Sequence, residues 1–319
     1  MAGVCVIGVD LGGTKLLAGA VDSRLEVQHR TYRRARREDT ETVLATIIDA
    51  VVEARETVDG DVLGVGLGVP CLVDPATGTA IRCNHLPLVD VAVRDLLAER
   101  LGLSVSVDND ANLAMLAEWR LGAARGASNA IMLTLGTGIG GGLVVDGRLA
   151  RGTRGAGAEL GHVVVDLDGP PCPGNCPNVG CLEALASGVA IGREGLRVAR
   201  STPESALGAA LAAGREITGA LVTELAHDGD AAARDVVALV GERLGIGITS
   251  LVNALAPEVV VVGGGAIAGG DLLLDPARDV VARRALAPEL VRIVPARFGA
   301  ESGMLGAAAM ALEAAGVSV

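Results

Sequence analysis

Residues 4–22 read VCVIGVDLGGTKLLAGAVD. An apolar, β-branched run meets a carboxylate at Asp10, passes through Gly12, Gly13, Thr14 and Lys15, and resumes as a second apolar run ending at Asp22. The pattern predicts strand, tight turn, strand. Glycines at such a tip expose bare backbone, because a Cβ would block close approach and many φ values. Successive amides in a turn of this kind form a concave donor set suited to phosphate oxygens. Lys15 sharpens the reading: it is the only lysine in the chain, and every other member of the 27 Lys and Arg residues is arginine.

The stretch has an echo. GVDLGGTKLLAGAVD (8–22) lies over MLTLGTGIGGGLVVD (132–146) without a gap, Gly12 falling on Gly136 and Asp22 on Asp146. A repeat this far apart is a duplicated domain core rather than a solenoid. It predicts two similar α/β lobes, each offering a glycine hairpin, with a ligand held between them. The second tip contributes Gly136, Thr137 and Gly138, and a third glycine turn, Gly263, Gly264 and Gly265, follows the strand-like EVVVV. None of the three fits GxxxxGK[ST] or a GxGxxG that opens a helix.

Around these turns, strand-like runs alternate with helical patterns, as α/β folds do. VLGVGLGV and SVSV read as strands, and residues 40–57 read as a helix with Val43, Leu44, Ile47, Ile48, Val51 and Val52 at helical spacing and Asp39 or Thr40 as its cap. Alanine-rich helices fill roughly 185–255, and GMLGAAAMALEAAG closes the chain. Phe298, Tyr32 and Trp119 are the only aromatics, so the cores must be built from Val, Leu, Ile and Ala. A net charge of −11 argues against a general nucleic-acid binder. No apolar run approaches the roughly 18–20 residues that span a bilayer, and the N-terminus lacks the order of a signal peptide. The reading is a cytoplasmic protein with no membrane partner. The basic run HRTYRRARRE (29–38) is expected to be a solvated strand edge and loop.

Two further stretches carry chemistry. VDNDAN (107–112) follows a strand and opens a helix, where ligands of open α/β sheets gather. Phosphoryl transfer to a hydroxyl needs that hydroxyl aimed and its proton accepted. Asp108 and Asp110 are both candidates, and either could instead be a helix cap. The six cysteines fall in two groups. Cys5, Cys71 and Cys83 are scattered, and in a reducing compartment disulfides between them are not expected. Cys172, Cys176 and Cys181 are spaced C-x3-C-x4-C with His162 ten residues upstream. Three thiolates and an imidazole make a tetrahedral zinc site with no open position, hence a structural one.

DLGGTK, DNDAN, LGTGIGGG, AELGH, the cysteine cluster and CLEALASG, in this order from about residue 4 to 315, resemble the ROK family of bacterial sugar kinases, and among them the glucokinases. The resemblance implies the two-lobed actin/hexokinase/Hsp70-like ATPase fold (ribonuclease H-like) with a duplicated core and ATP in the interlobe cleft. It implies a small lobe of 1–108 plus 302–319 and a large lobe of 109–301. Asp10, Gly12, Gly13, Thr14 and Lys15 would handle phosphate and Mg2+ from the small lobe, with Asp10 orienting the hydrated ion. Gly136, Thr137 and Gly138 would do so from the large lobe, and Gly263, Gly264 and Gly265 would line the adenosine pocket. The base falls on the second acid, Asp110, with Asn109 on a neighbouring hydroxyl and Asn84, Glu159, His162 and Glu183 on the sugar.

The resemblance has one departure. The commoner family pattern is CxCGxxGCxE, and Gly174 stands where its first cysteine belongs, so Cys172 would supply that Zn2+ ligand from a longer loop. Activity on glucose at O6 is implied. N-acetylmannosamine, N-acetylglucosamine, fructose or allose as acceptor and polyphosphate as donor stay open, as does a homodimer or homotetramer. The family's repressors carry an N-terminal DNA-binding domain; here the first hairpin begins at residue 4.

Overall fold

The computed structural model describes residues 4–13, 15–83 and 86–317. The first part of the chain runs β1 (Cys5–Leu11), β2 (Lys15–Asp22), β3 (Val27–Arg34), α1 (Thr40–Glu56), β4 (Val62–Val69), β5 (Cys71–Asp74), β6 (Thr79–Cys83), α2 (Val93–Leu101), β7 (Ser104–Asn109) and α3 (Asp110–Arg120). The second part runs β8 (Ala130–Leu135), β9 (Ile139–Val145), β10 (Arg148–Leu149), α4 (Leu182–Ala186), α5 (Gly188–Ser201), α6 (Ala206–Ala212), α7 (Gly219–His227), α8 (Ala231–Leu255), β11 (Val259–Gly263), α9 (Asp271–Arg284), β12 (Arg292–Pro295) and α10 (Ser302–Ala314).

The strands form two five-stranded sheets of the same order, β3-β2-β1-β4-β7 and β10-β9-β8-β11-β12. In each, an antiparallel meander is extended by two parallel strands. The sequence repeat is therefore a repeat of sheets: its register carries Leu11, the end of β1, onto Leu135, the end of β8, and Lys15, the start of β2, onto Ile139, the start of β9.

Two compact units result. One comprises the chain up to Gly126, Gly142–Ala158 and the chain from Ala300 onward; the other comprises Ala127–Gly141 and Glu159–Gly299. The expected small lobe stopped at residue 108. In the structure α3 belongs to the first unit, because it packs along α10 there.

The two faces of the first sheet differ. Ile7, Val9 and Leu11 of β1 enter an apolar cluster with Val43, Leu44, Ile47 and Val51 of α1 and Leu97 of α2. The alternate positions of β1 face the other way and carry Gly8 and Asp10. Gly19, Gly8, Gly66 and Ser106 are paired in one row across β2, β1, β4 and β7. This row of minimal side chains lets α10 lie directly on the sheet. A Cβ on Gly8 or Gly66 would collide with the carbonyls of Met304 and Ala307. The N-cap of α1 is Asp39, whose carboxylate accepts from Thr42 N at 2.7 Å. The arginine run forms edge strand β3, with Arg30 paired to Glu301 and Arg33 to Glu53.

One expectation is overturned. Cys71 and Cys83 are directly opposite on β5 and β6 and are joined in a disulfide. Twelve residues separate them in sequence, and only the pairing of two short strands brings them together. Among the described residues no helix is long and apolar enough to cross a membrane.

Candidate functional site

The parallel pairing of the first sheet builds an acidic edge. Asp10 of β1 pairs with Gly68 of β4, and Gly68 with Asp108 of β7. Two carboxylates thus share one row and one face, separated by a residue without a side chain. Over that gap comes the start of α3: a Cβ on Gly68 would lie 3.5 Å from both Asp10 Oδ1 and the Asp110 Cα. The N-terminal turn of α10 closes the other side, since a Cβ on Gly303 would lie 2.5 Å from the Asp10 carboxyl carbon. Burial first, and the Asp110 charge second, push the Asp10 carboxyl up to about 7. Such a carboxylate is stabilised by a cation.

The turn into α3 is held at several points. Asn109 caps the helix, its Oδ1 accepting from Ala111 N at 2.9 Å and Asn112 N at 3.2 Å, while its Nδ2 donates to the Cys71 carbonyl at 3.3 Å. Asp108 is 3% exposed. It accepts from Asn109 N at 2.7 Å, Asn112 Nδ2 at 3.1 Å and Arg151 Nε at 2.6 Å. Asp110 is the first residue of the helix, and its Oδ1 accepts from Ala111 N at 2.8 Å. The residue pattern alone left the two acids open and the family resemblance implied Asp110; in the structure Asp108 is buried and accepts from three donors, whereas Asp110 is only partly buried. At the neighbouring β1–β2 tip, Gly12 N donates to Lys15 O at 2.8 Å and Lys15 is exposed. Thr14 and Asn84, both expected in the site, lie outside the described residues, as does His85.

In the second unit the β8–β9 tip is braced rather than charged. Gly136 N donates to Gly138 O at 2.8 Å, and the Gly136 carbonyl accepts from Gly188 N at 2.9 Å. Glu183, on α4, accepts from Ile139 N at 2.8 Å, and Gly138 has no side chain to obstruct that carboxylate. Gly161 of AELGH packs against the Ile139 carbonyl, where a Cβ would clash. The start of β9 is thus the point where LGTGIGGG, AELGH and CLE meet. Gly263 ends β11 and pairs with Thr134 of β8, the same place in the second sheet that Gly68 holds opposite Asp10. Gly264 follows at φ 83° against Leu135, and Gly265 begins a short 3-10 turn.

The cysteine loop folds back on itself through bridges Val164–Cys181 and Pro171–Val179. His162, Cys172, Cys176 and Cys181 consequently converge, with all four donor atoms within 4.8 Å of one another. Cys172 Sγ is 3.4 Å from His162 Nδ1, and Cys176 Sγ is 3.9 Å from Cys181 Sγ. A tetrahedron with Zn–S near 2.3 Å has edges of about 3.7 Å, so this donor set has the size of a zinc site. Burial and neighbouring sulfurs push the Cys172 thiol up, and burial is also the largest cause at Cys181. Crowded thiols of this kind give up protons readily only to a metal. His162 Nε2 is turned from the sulfurs toward Glu159 Oε2, 3.9 Å away.

Sequence reasoning missed Arg151, Gly68 and Gly303. A lone arginine in a glycine-rich loop has no spacing signature, and the glycines announce themselves only through what they pack against.

Two sheets of order 3-2-1-4-5, each with a glycine hairpin on its first two strands, define an α/β fold of the actin/hexokinase type. A model of the ROK family matches residues 6–314. The chain is 36% identical over 317 residues to the glucokinase of Thermotoga maritima, covering 98% of each chain. It is 33% identical over 317 residues to the glucokinase of Streptomyces coelicolor, covering 96% of this chain and 97% of that one. The crystal structure of a ROK family glucokinase from Streptomyces griseus in complex with glucose and AMPPNP aligns with a TM-score of 0.86 at 34% identity, over 97% of this chain and 99% of that one. The chain belongs to the ROK family.

Proposed function

We propose that this protein is a glucokinase that transfers the γ-phosphoryl group of ATP to O6 of glucose. The observation that carries the reading is the acidic edge at the end of the first sheet, with Asp110 on the first turn of α3. Asp110 accepts the O6 proton as O6 forms its bond to the γ-phosphorus. The bond from phosphorus to the bridging oxygen breaks, and ADP leaves with that electron pair. Asp108 instead has both oxygens engaged, by Asn109 N, Asn112 Nδ2 and Arg151 Nε. Glucose and AMPPNP in the Streptomyces griseus relative support the choice of substrates.

Asp10 fits a role in holding hydrated Mg2+, because a carboxylate disfavoured by burial and by a neighbouring acid gains from a divalent cation. When bound, the ion neutralises charge on the transferring phosphates. Lys15 and the glycine tips supply further donors. The Cys3His cluster fits Zn2+, which would be structural. His162 would then be fixed through Nδ1, leaving Nε2 beside Glu159 for sugar hydroxyls. Asn109 and Glu183 complete the proposed sugar contacts, Glu183 from a carboxylate already anchored to β9.

A coupled assay across a hexose panel, with ATP or polyphosphate as donor, tests the reading. Magnesium-dependent turnover is expected to be highest with glucose and ATP. Turnover of an N-acetylated hexosamine but not glucose would overturn the substrate, and no turnover with any pair would overturn the enzyme class.

A further inference from the structure

We infer that Arg151 is a positioning residue for the phosphoryl-transfer base and that it acts through Asp108; this rests on the reading of Asp110 as that base. Asp108 holds both sides of Asp110. One oxygen accepts from the backbone of Asn109, the residue before it, and from the side chain of Asn112, two residues after it. The other oxygen meets Arg151 Nε at 2.6 Å. A buried carboxylate is unfavourable without a cation, and Arg151 is the cation bonded to Asp108.

The arginine comes from a built segment. It directly follows the β9–β10 hairpin, where Ala150 N donates to Leu143 O at 2.7 Å, and Gly157 N donates to the Arg151 carbonyl at 2.8 Å. Gly155 packs on the Val73 carbonyl of β5, and Arg154 pairs with Asp74 at 3.3 Å. The loop is therefore strapped to β5, whose Cys71 carbonyl also holds Asn109. With Arg151 removed, Asp108 Oδ2 would lose its cationic partner, the carboxylate would turn toward water, and the peptide carrying Asp110 would lose one of its anchors.

The test measures steady-state kinetics and glucose binding for Arg151→Met, Arg151→Lys, Asp108→Asn and the double variant Arg151→Met/Asp108→Asn, with Asp110→Asn alongside. Misplacement of a reacting group by about 1 Å can cost about 10²-fold. Arg151→Met is expected to lower kcat by about 10–100-fold with glucose affinity within about threefold. Lysine keeps the charge without the planar fork and should restore only part of the loss. In the Asp108→Asn background the methionine change should add less than about threefold, because coupled residues are non-additive. A near-normal kcat in Arg151→Met, or losses that multiply in the double variant, would overturn the inference. If Arg151→Met does not fold, Arg151→Lys and Asp108→Asn carry the test: both must lower kcat at preserved glucose affinity. Asp110→Asn separates the two claims. An active Asp110→Asn sinks the base and the inference together; an inactive one beside a normal Arg151→Met sinks the inference alone.

Discussion

The two sheets share an order and a hairpin, and they differ in what decorates the shared frame. One residue before the end of β1 stands Asp10, and at the corresponding place in β8 stands Thr134; Lys15 corresponds to Ile139, and Thr14 to Gly138. Both frames place a glycine opposite that position, Gly68 in one and Gly263 in the other. The first sheet thus collects charge: Asp10 and Asp108 in one row, with Asp110 above the gap between them. The second has no ionisable residue in its own tip, which is fastened by Glu183, Gly161 and Gly188. On the proposed function, the duplicated backbone would supply amides to phosphate twice, with one copy given to proton and metal chemistry and the other to holding a loop.

Four experiments break or sharpen this contrast. The largest effect should come from Asp110→Asn, which keeps shape but cannot take the proton. Loss of a general base costs about 10²–10⁴-fold in kcat, and glucose binding by calorimetry should persist. A kcat within tenfold of wild type would move the base to Asp108.

The counterpart in the second unit is Cys176→Ala. A structural zinc site contributes about 10–16 kcal/mol in small peptides, so one lost ligand should release the metal. Elemental analysis should fall from about one zinc per chain to none, and glucose binding should go with it, because His162 and Glu183 lean on the same loop. ATP binding should survive better. Zinc retained after Cys172→Ala would remove Cys172 from the ligand set, and Cys5→Ala should leave the metal content unchanged.

Alanine at the two corresponding glycines gives a smaller and more discriminating comparison. The new Cβ would come within 3.1 Å of Leu113 at Gly68, and within 3.0 Å of Met132 at Gly263. Overpacking of this kind costs about 1–3 kcal/mol, so both variants should melt lower by similar amounts. Only Gly68→Ala should also lower kcat, because only there does the backbone of a proposed base lie above the glycine.

The smallest effect concerns pH. Folding raises the Asp10 carboxyl from 3.8 to about 7. Between those values the folded chain keeps a proton that the unfolded chain has released, so this group's contribution to stability falls as pH rises and is lowest above about 7. Asp10→Asn cannot ionise. It should therefore melt a few degrees above wild type at pH 8, with the difference gone near pH 4, and on the proposed function it should lose activity. Thr134→Val, at the corresponding position, should show no such pH dependence. An Asp10→Asn variant that melts lower than wild type at pH 8 would mean that the carboxylate is stabilised without a cation.

Much of the architecture could be read along the chain. The hairpin at 4–22, its echo at 132–146 and the helix from 40 each depend on neighbours within a few residues, where period and turn chemistry act directly. Asp39 over Thr40 as the cap of α1 needed coordinates, since both residue types suit the position. The site was legible in its glycine tips and in the C-x3-C-x4-C spacing, because both are short-range patterns. The residue pattern alone did not separate Asp108 from Asp110, for which the family resemblance implied Asp110; their burial and what reaches Asp108 from Arg151 and Asn112 are visible only in three dimensions.

By itself, then, the sequence determined the local pieces: two glycine hairpins, an acid-bearing strand end, a thiol-rich loop and apolar faces wide enough for α/β cores. Only the tertiary structure decided the row Asp10–Gly68–Asp108, the Arg151 partner, the Cys71–Cys83 bond and the grip of Glu183 on Ile139. The reason is physical. A parallel pair is registered through a crossover of many residues, and a loop arginine or a strand cysteine finds its partner only after the sheets have formed. Such pairings leave no period in the chain, because the residues that make them are neighbours in space alone.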